Sequence, residues 1–175
     1  AYNANTSYQR GNPKRINSAL YALIPATDVR KKMWEPAPTV TNFPLPTTAF
    51  VRQPYMSRKF AVKDPLGPSL GDVSLLRSSE VYLILAEAAA KAGQPTVAQD
   101  ALFALDSKRD ANAVKSTSVG DDLLNVIYTN RRVELWGEGF RYLDLKRLNL
   151  PLNRTAVPNY VSGSVAEVMQ IPAGD

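Results

Sequence analysis

The sequence predicts a mainly α-helical fold, built from tetratricopeptide-like helical hairpins (an α/α superhelix) with a long proline-rich irregular excursion and room for a small β-hairpin. Two observations predict this. Residues 75–150 show the apolar spacing of helices, separated by glycine and proline. Seven prolines between residues 36 and 68 prevent a regular helix and keep central strands out.

We divide the chain of 175 residues into three parts, within one domain or the C-terminal fragment of a larger domain. Residues 1–74 form a loop-rich segment, residues 75–150 a helical core, and residues 151–175 a tail with one predicted strand near Val165–Ile171. In the first part, Thr27 or Asp28 can cap a helical turn over Val29–Trp34.

The excursion keeps two extended stretches, Thr48–Gln53 and Met56–Val62, which could pair as a hairpin. Turn signals rich in proline and glycine follow them before the helical core begins. The excursion is therefore expected to supply loops rather than core.

The first predicted helix covers Leu75–Ala92. Its stripe of Val81, Leu85, Ala88 and Ala92, with Ile84 beside it, contains small residues that allow a second helix to approach closely. Gly93 suits the end of this helix, and Pro95 suits the start of the next.

The second predicted helix covers Thr96–Arg109, and its core residues are Ala98, Ala101, Leu102 and Leu105. These two helices form an antiparallel hairpin similar in length to one tetratricopeptide unit. One such unit cannot bury its own face, so the sequence predicts packing partners from elsewhere in the chain.

The third and fourth helices are predicted over Gly120–Trp136 and Phe140–Leu148. Gly137 and Gly139 lie between them and predict a sharp bend. This part of the chain therefore forms a helix–turn–helix corner.

Charged and apolar residues are mixed all round this corner. Buried charges are tolerated only when paired, so the sequence predicts a structural ion-pair cluster. Its members pair three positions apart, as Arg131 with Glu134, Glu138 with Arg141, Arg141 with Asp144, and Asp144 with Arg147.

Further carboxylates need cationic partners for the same reason. Glu134 and Glu138 are four residues apart and repel each other unless an arginine lies between them. Glu80 and Glu87 share one face of the first helix, where arginines from the final helices can meet them.

The absence of cysteine and histidine excludes disulfides, zinc–thiolate sites and histidine-assisted nucleophiles. We expect no cofactor, no metal and no catalytic residues. Glu134 and Glu138 could be read as a glycosidase pair, but flanking arginines keep both ionised, whereas a general acid needs a raised pKa. The net charge of +5 is dispersed rather than gathered in a stripe, so nucleic acid is not an expected partner.

Aromatic residues beside the excursion are the candidate ligand contacts. Sugar rings stack on exposed aromatic faces, with polar groups around them binding hydroxyls. Trp34, Tyr21 and Tyr55 lie in this region, and Trp34 is expected to be exposed there. Trp136 is expected to be a core residue.

Two long segments resemble the SusD/RagB family of outer-membrane nutrient-binding lipoproteins: LLRSSEVYLILAEAAAKAG at 75–93 and NRRVELWGEGFRYLDLKR at 130–147. Weaker similarity covers TDVRKKMW at 27–34 and MQIPAGD at 169–175. Asn130 departs from the pattern, because the family usually has glutamate there.

The resemblance implies a tetratricopeptide-like scaffold that binds a glycan or other nutrient and delivers it to a TonB-dependent transporter. It implies a location at the outer membrane, facing the exterior, through a lipid anchor that this chain lacks. It implies binding without catalysis. The alternative, from the helical hairpin alone, is a helical-repeat module that binds proteins.

Overall fold

Helices dominate the structure, a computed structural model that describes residues 14–39, 52–59 and 74–150. The elements in chain order are α1 (Ser18–Ala22), a 3-10 helix (Val29–Met33), β1 (Trp34–Glu35), β2 (Met56–Ser57), α2 (Ser78–Lys91), α3 (Pro95–Asp106), α4 (Gly120–Glu134) and α5 (Phe140–Arg147). The predicted mainly α-helical class is confirmed, and the four predicted core helices are all present.

Helices α2 and α3 form the predicted antiparallel hairpin, and its turn explains why α2 ends. Gly93 adopts a left-handed conformation with φ of 72°. The amide of Gln94 donates to the carbonyl of Ala89 at 2.9 Å, and that of Gly93 donates to Ala90 at 3.2 Å. This pattern satisfies the last carbonyls of α2, and Pro95 begins α3 immediately afterwards.

The main core lies where α2, α3 and α4 meet. Leu83 and Ala86 of α2 pack with Leu123 and Ile127 of α4, while α3 contributes Ala98, Ala101, Leu102 and Leu105, all four as predicted. Helix α4 therefore supplies the partner surface that a single helical hairpin lacks.

The predicted packing stripe of α2 is wrong. Val81, Ile84 and Leu85 are 64%, 52% and 47% exposed, and Ala88 and Ala92 are exposed too. The buried face consists instead of Ser79, Leu83, Ala86, Glu87 and Ala89. Because α2 is apolar on both sides, periodicity alone could not choose between its faces.

A second, smaller core holds the N-terminal segment against the end of α4. Ile16, Leu20, Ile24 and Trp34 pack there with Val133. Asp28 caps the 3-10 helix, its side chain accepting from the amide of Arg30 at 2.8 Å, as the sequence predicted.

Strands β1 and β2 form a short antiparallel pair, with Trp34 opposite Ser57 and Glu35 opposite Met56. Strand β2 begins at the first residue of the predicted stretch Met56–Val62, and it pairs with β1. Most of Thr48–Gln53, and the predicted strand near Val165–Ile171, lie outside the described residues.

The corner between α4 and α5 has the predicted glycine bend. Gly137 and Gly139 have φ of 78° and 89°, a region that favours glycine. The bend returns α5 towards α4, so that buried Asp144 of α5 meets buried Arg131 of α4.

Candidate functional site

Glu134 lies at the centre of a charge network at the end of α4, and it is only 3% exposed. Arg109 donates to both carboxylate oxygens, through Nε to Oε2 at 3.0 Å and through Nη2 to Oε1 at 2.8 Å. Arg30 Nη1 donates to Oε2 at 3.3 Å. A third arginine, Arg77, donates to Oε1. One buried carboxylate thus joins three separate parts of the chain.

Arg77 also offsets the electrostatic repulsion between Glu134 and Glu138. Its guanidinium donates to Glu134 through Nη2 and to Glu138 through Nη1, so a cation does lie between the two carboxylates. Lys59 Nζ adds a bond to Glu138 Oε1 at 2.6 Å and bonds to the carbonyls of Glu134 and Trp136 at 2.6 and 2.9 Å. The carbonyl of Glu134 is the last of α4 and that of Trp136 lies just beyond it, at the end of a helix where a cation is favourable.

The environment keeps Glu134 ionised. Burial acts to raise the pKa of Glu134, but the hydrogen bond from Arg109 and the charges of Arg109, Arg30 and Arg77 outweigh it and hold the pKa at about 2. A carboxylate in this state cannot donate a proton near neutral pH, so the residue is unsuited to the role of general acid.

A second ion-pair network joins α2, α4 and α5. Arg131 Nε donates to both oxygens of Asp144, at 3.1 and 2.9 Å, and Arg147 Nε donates to Asp144 Oδ1 at 2.9 Å. Arg147 also makes a bidentate contact with Glu87, from Nη1 to Oε1 at 2.5 Å and from Nη2 to Oε2 at 2.8 Å. Arg131 Nη2 lies 3.9 Å from Glu80 Oε1. The prediction that arginines of the final helices meet Glu80 and Glu87 is confirmed.

The pairing within the predicted cluster is corrected in three of four cases. Asp144 with Arg147 is present. Arg131 instead pairs with Asp144, and Glu134 and Glu138 take their cations from Arg30, Lys59, Arg77 and Arg109. Within the described residues, Arg141 makes neither predicted ion pair, and Arg141 is exposed.

These corrections have one physical cause. Helical spacing identifies neighbours on one helix, whereas Glu134 and Glu138 are neutralised by residues distant in sequence. Arg30, Lys59, Arg77 and Arg109 were missed for this reason. The signal that could have pointed to them is the requirement that every buried carboxylate have a cation. Asn130, which stands where the family usually has glutamate, still contacts this network, because its Oδ1 accepts a hydrogen bond from Arg30 Nη2 at 3.0 Å.

Trp34 is not the exposed platform that the sequence predicted. It is 1% exposed and packs edge-on against Trp136, with ring centroids 5.5 Å apart. The residue begins β1 and points into the second core, so neither ring face is open to a sugar in this conformation. Trp136, predicted to be a core residue, is partly buried against that core.

Tyr21 and Tyr55 do lie together, and both are half-buried. Their rings meet edge-to-face with centroids 5.4 Å apart, and Lys31 Nζ lies 4.9 Å from the centre of the Tyr21 ring. Burial, then the charge of Glu35 and the neighbouring Tyr55, raise the pKa of the Tyr21 hydroxyl. Tyr55 has φ of 63°, an uncommon backbone conformation for a bulky residue. Whether the pair contacts ligand stays a prediction.

A cleft of about 560 Å³ opens beside the first charge network, on the side of α4 that faces the N-terminal segment. Its lining includes Asp106, Asp110, Asn112, Asn125 and Thr129, residues that sequence reasoning did not select. The i,i+4 spacing of Asn125 and Thr129, two polar residues on one face of α4, was the available signal.

The described part of the chain contains no group of three or more acidic, histidine or cysteine side chains suited to a metal ion. Among the same residues, no helix has both the length and the apolar character needed to cross a membrane.

A helical-hairpin scaffold braced by ion pairs at a helix–turn–helix corner is the class of protein that this geometry defines. The family model of the SusD family matches residues 4–168, and the chain belongs to this family. The resemblance drawn from residues 75–93 and 130–147 is thereby confirmed.

Two relatives illustrate the similarity. SusD-like protein P38 of Formosa agariphila is 32% identical over 94 residues, which cover 48% of this chain and 19% of that protein. A SusD-like carbohydrate binding protein from Bacteroides vulgatus has a crystal structure that matches 82% of this chain with a TM-score of 0.59 and 29% identity. This chain covers 32% of that one, so it spans less than a third of either relative.

Proposed function

We propose that this chain belongs to a protein that binds a glycan and delivers it to a TonB-dependent transporter of the outer membrane. Membership of the SusD family carries the proposal. The similar structure from Bacteroides vulgatus is that of a carbohydrate binding protein, which favours a glycan among possible nutrients. The protein would face the exterior and be held at the membrane by a lipid anchor.

The proposed role is binding without turnover. Two buried carboxylates that could be considered for acid–base work are held ionised by cations: the pKa of Glu134 is about 2, and so is that of Glu87, where bonds from Arg147 and Lys91 outweigh burial. A glycosidase needs one carboxyl group whose pKa is raised instead. Both residues serve the scaffold in this proposal.

Tyr21 and Tyr55 are the proposed aromatic contacts for the glycan. Each ring is half-buried and supported by the other, so little side-chain entropy is lost when a ligand binds. The second core behind them, which includes Trp34, holds this part of the chain in place.

Affinity electrophoresis in gels that contain different polysaccharides tests the proposal. We expect retardation by at least one polysaccharide, and weaker retardation after Tyr21→Ala and Tyr55→Ala. Tyr82→Ala is the matched control, because Tyr82 is an exposed tyrosine on α2 outside this cluster. Co-purification of the full-length protein with a TonB-dependent transporter tests delivery.

The outcomes separate the alternatives. A chain that binds no polysaccharide but captures a peptide supports the helical-repeat interaction module instead. Retardation that falls equally in the Tyr82→Ala variant removes the two tyrosines from the proposed site. Release of reducing sugar from a bound glycan overturns binding without turnover.

A further inference from the structure

We propose that the cleft beside α4 is a second glycan subsite, separate from the tyrosine pair, and that it selects uncharged sugars over acidic ones. The inference rests on the proposed glycan-binding function and names the ligand class for one site.

The cleft has the size and composition of a small-molecule site. Its volume of about 560 Å³ falls within the range of roughly 300–1,000 Å³ that such sites occupy. Leu23 and Val114 are exposed lining residues, which provide apolar surface for the C–H faces of a sugar ring. Val126 and Val133 of α4 extend this apolar surface.

Polar groups in the cleft have hydrogen-bonding capacity that the described part of the chain does not use. The side chains of Asn112 and Asn125 are exposed and that of Thr129 is half-buried, and none of the three makes a hydrogen bond to another described residue. The carboxylate of Asp106 bonds only through Oδ1, which accepts from Arg30 at 3.3 Å. By contrast, Asp110 is occupied by Thr27 at 2.6 Å and by the amide of Asn112 at 2.8 Å.

The hydrogen-bond donors and acceptors of these side chains are complementary to the hydroxyl groups of a sugar. A side-chain amide offers both donors and an acceptor, a threonine hydroxyl offers both, and a carboxylate oxygen accepts. A sugar hydroxyl also donates and accepts, so neighbouring hydroxyls can satisfy this set. Asn125 and Thr129 are one turn apart on α4, which places their polar groups side by side.

The charge of the cleft disfavours an anionic sugar. The charged lining residues are Asp28, Asp106, Asp110 and Arg30, three acids and one base. Arg30 is already held by Asp28 through bonds of 2.6 to 3.1 Å and also contacts Glu134. Burial, opposed by the charge of Arg30 and reinforced by that of Asp28, raises the pKa of Asp106. A uronic acid carboxylate would add another negative charge here.

Nuclear magnetic resonance titration of the 175-residue chain tests this proposal. The probes are neutral oligosaccharides, namely gluco-, manno- and xylo-oligosaccharides, and one acidic probe, an oligogalacturonate. We expect a neutral probe to shift the side-chain amide signals of Asn112 and Asn125. The double variant Asn125→Ala, Thr129→Ala should weaken that binding by about tenfold, as expected for two lost hydrogen bonds.

The double variant should keep the fold, because alanine is the best helix former and both residues lie within α4. Gln94→Ala is the matched control, since Gln94 is an exposed amide at the opposite end of α3 from Asp106. It should bind as the wild type does. Asn125→Lys should strengthen oligogalacturonate binding by placing a cation in the cleft.

Three results overturn the inference, and they differ in what they say about the function. If a neutral sugar binds the wild type and the double variant equally well, the cleft is not a subsite, although glycan binding stands. If oligogalacturonate binds the wild type at least as tightly as the neutral probes, the selectivity is wrong. If no glycan shifts any signal, in the cleft or near Tyr21 and Tyr55, the glycan-binding function fails together with the subsite.

Discussion

At the scale of the residue, Glu134 is the acceptor that three arginines share. Glu134→Gln would leave Arg30, Arg77 and Arg109 without their shared negative charge, and breaking a buried ion pair by removing one partner costs about 3–5 kcal/mol. We expect a clearly lower melting temperature and a lower free energy of unfolding by urea.

Asp100→Asn is the control for that substitution. Asp100 pairs with Lys115 at 2.5 Å, but the two side chains are 62% and 38% exposed. An exposed ion pair contributes about 0–1 kcal/mol, so this variant should melt close to the wild type. Equal melting temperatures for Glu134→Gln and the wild type would contradict the structural role of the network.

The pKa of Glu134 also predicts how stability depends on pH. Its folded-state pKa is about 2, against an ordinary value of 4.5, so protonation favours the unfolded chain. The stabilisation is fully present above pH 4.5 and is lost as the pH falls through 2. The pKa of Glu87 is lowered in the same way, to about 2, so both carboxylates contribute to acid unfolding.

Urea unfolding of the wild type and Glu134→Gln at pH 7, 4 and 2.5 measures this effect. The free-energy difference between the two proteins should shrink as the pH falls below 4.5, because the unfolded wild-type chain then binds a proton at Glu134 that the folded chain binds only near pH 2. A difference that stays constant from pH 7 to 2.5 would show that the carboxylate charge is not what stabilises the fold.

At the scale of the element, α2 has two apolar faces with different roles. Leu83 lies fully buried against α3 and α4, so Leu83→Ala should cost about 2–5 kcal/mol of unfolding free energy. Ile84 is adjacent in sequence but 52% exposed, so Ile84→Ala should change stability by less than about 1 kcal/mol. Thermal unfolding of the two variants compares a buried with an exposed aliphatic residue of equal size. A similar loss in both would mean that the outer face of α2 is also packed in solution.

At the scale of the whole molecule, helices were predictable because their signals are local. Gly93 and Pro95 mark the turn between α2 and α3, and Gly137 and Gly139 mark the corner before α5. The buried positions of α3 were also predictable, because only one of its faces is apolar. The buried face of α2 could not be predicted, because both sides of the helix are apolar and satisfy the same periodicity.

Long-range contacts limited prediction of the candidate site. The sequence indicated that Glu134 and Glu138 need cations, but only the folded chain brings Arg30 and Arg77 to them. Trp34 was predicted to be exposed because it lies beside the prolines, whereas in the structure it is buried and packs against Trp136. The cleft likewise combines α4 with residues distant in sequence, so apart from the spacing of Asn125 and Thr129 its residues share no local pattern.

The N-terminal segment depends on the helical core, and Arg30 is its main polar attachment. Arg30 reaches Glu134, Asp106 and Asn130, while α1 is too short to be stable alone. Arg30→Met should therefore accelerate hydrogen exchange of amides in residues 16–35 more than in α2 and α3. Lys32→Met is the control, because Lys32 is exposed two residues away and should leave exchange unchanged. If α2 and α3 lose protection to the same extent as the segment, the two cores unfold as one unit, and Arg30 stabilises the whole chain rather than attaching one part to another.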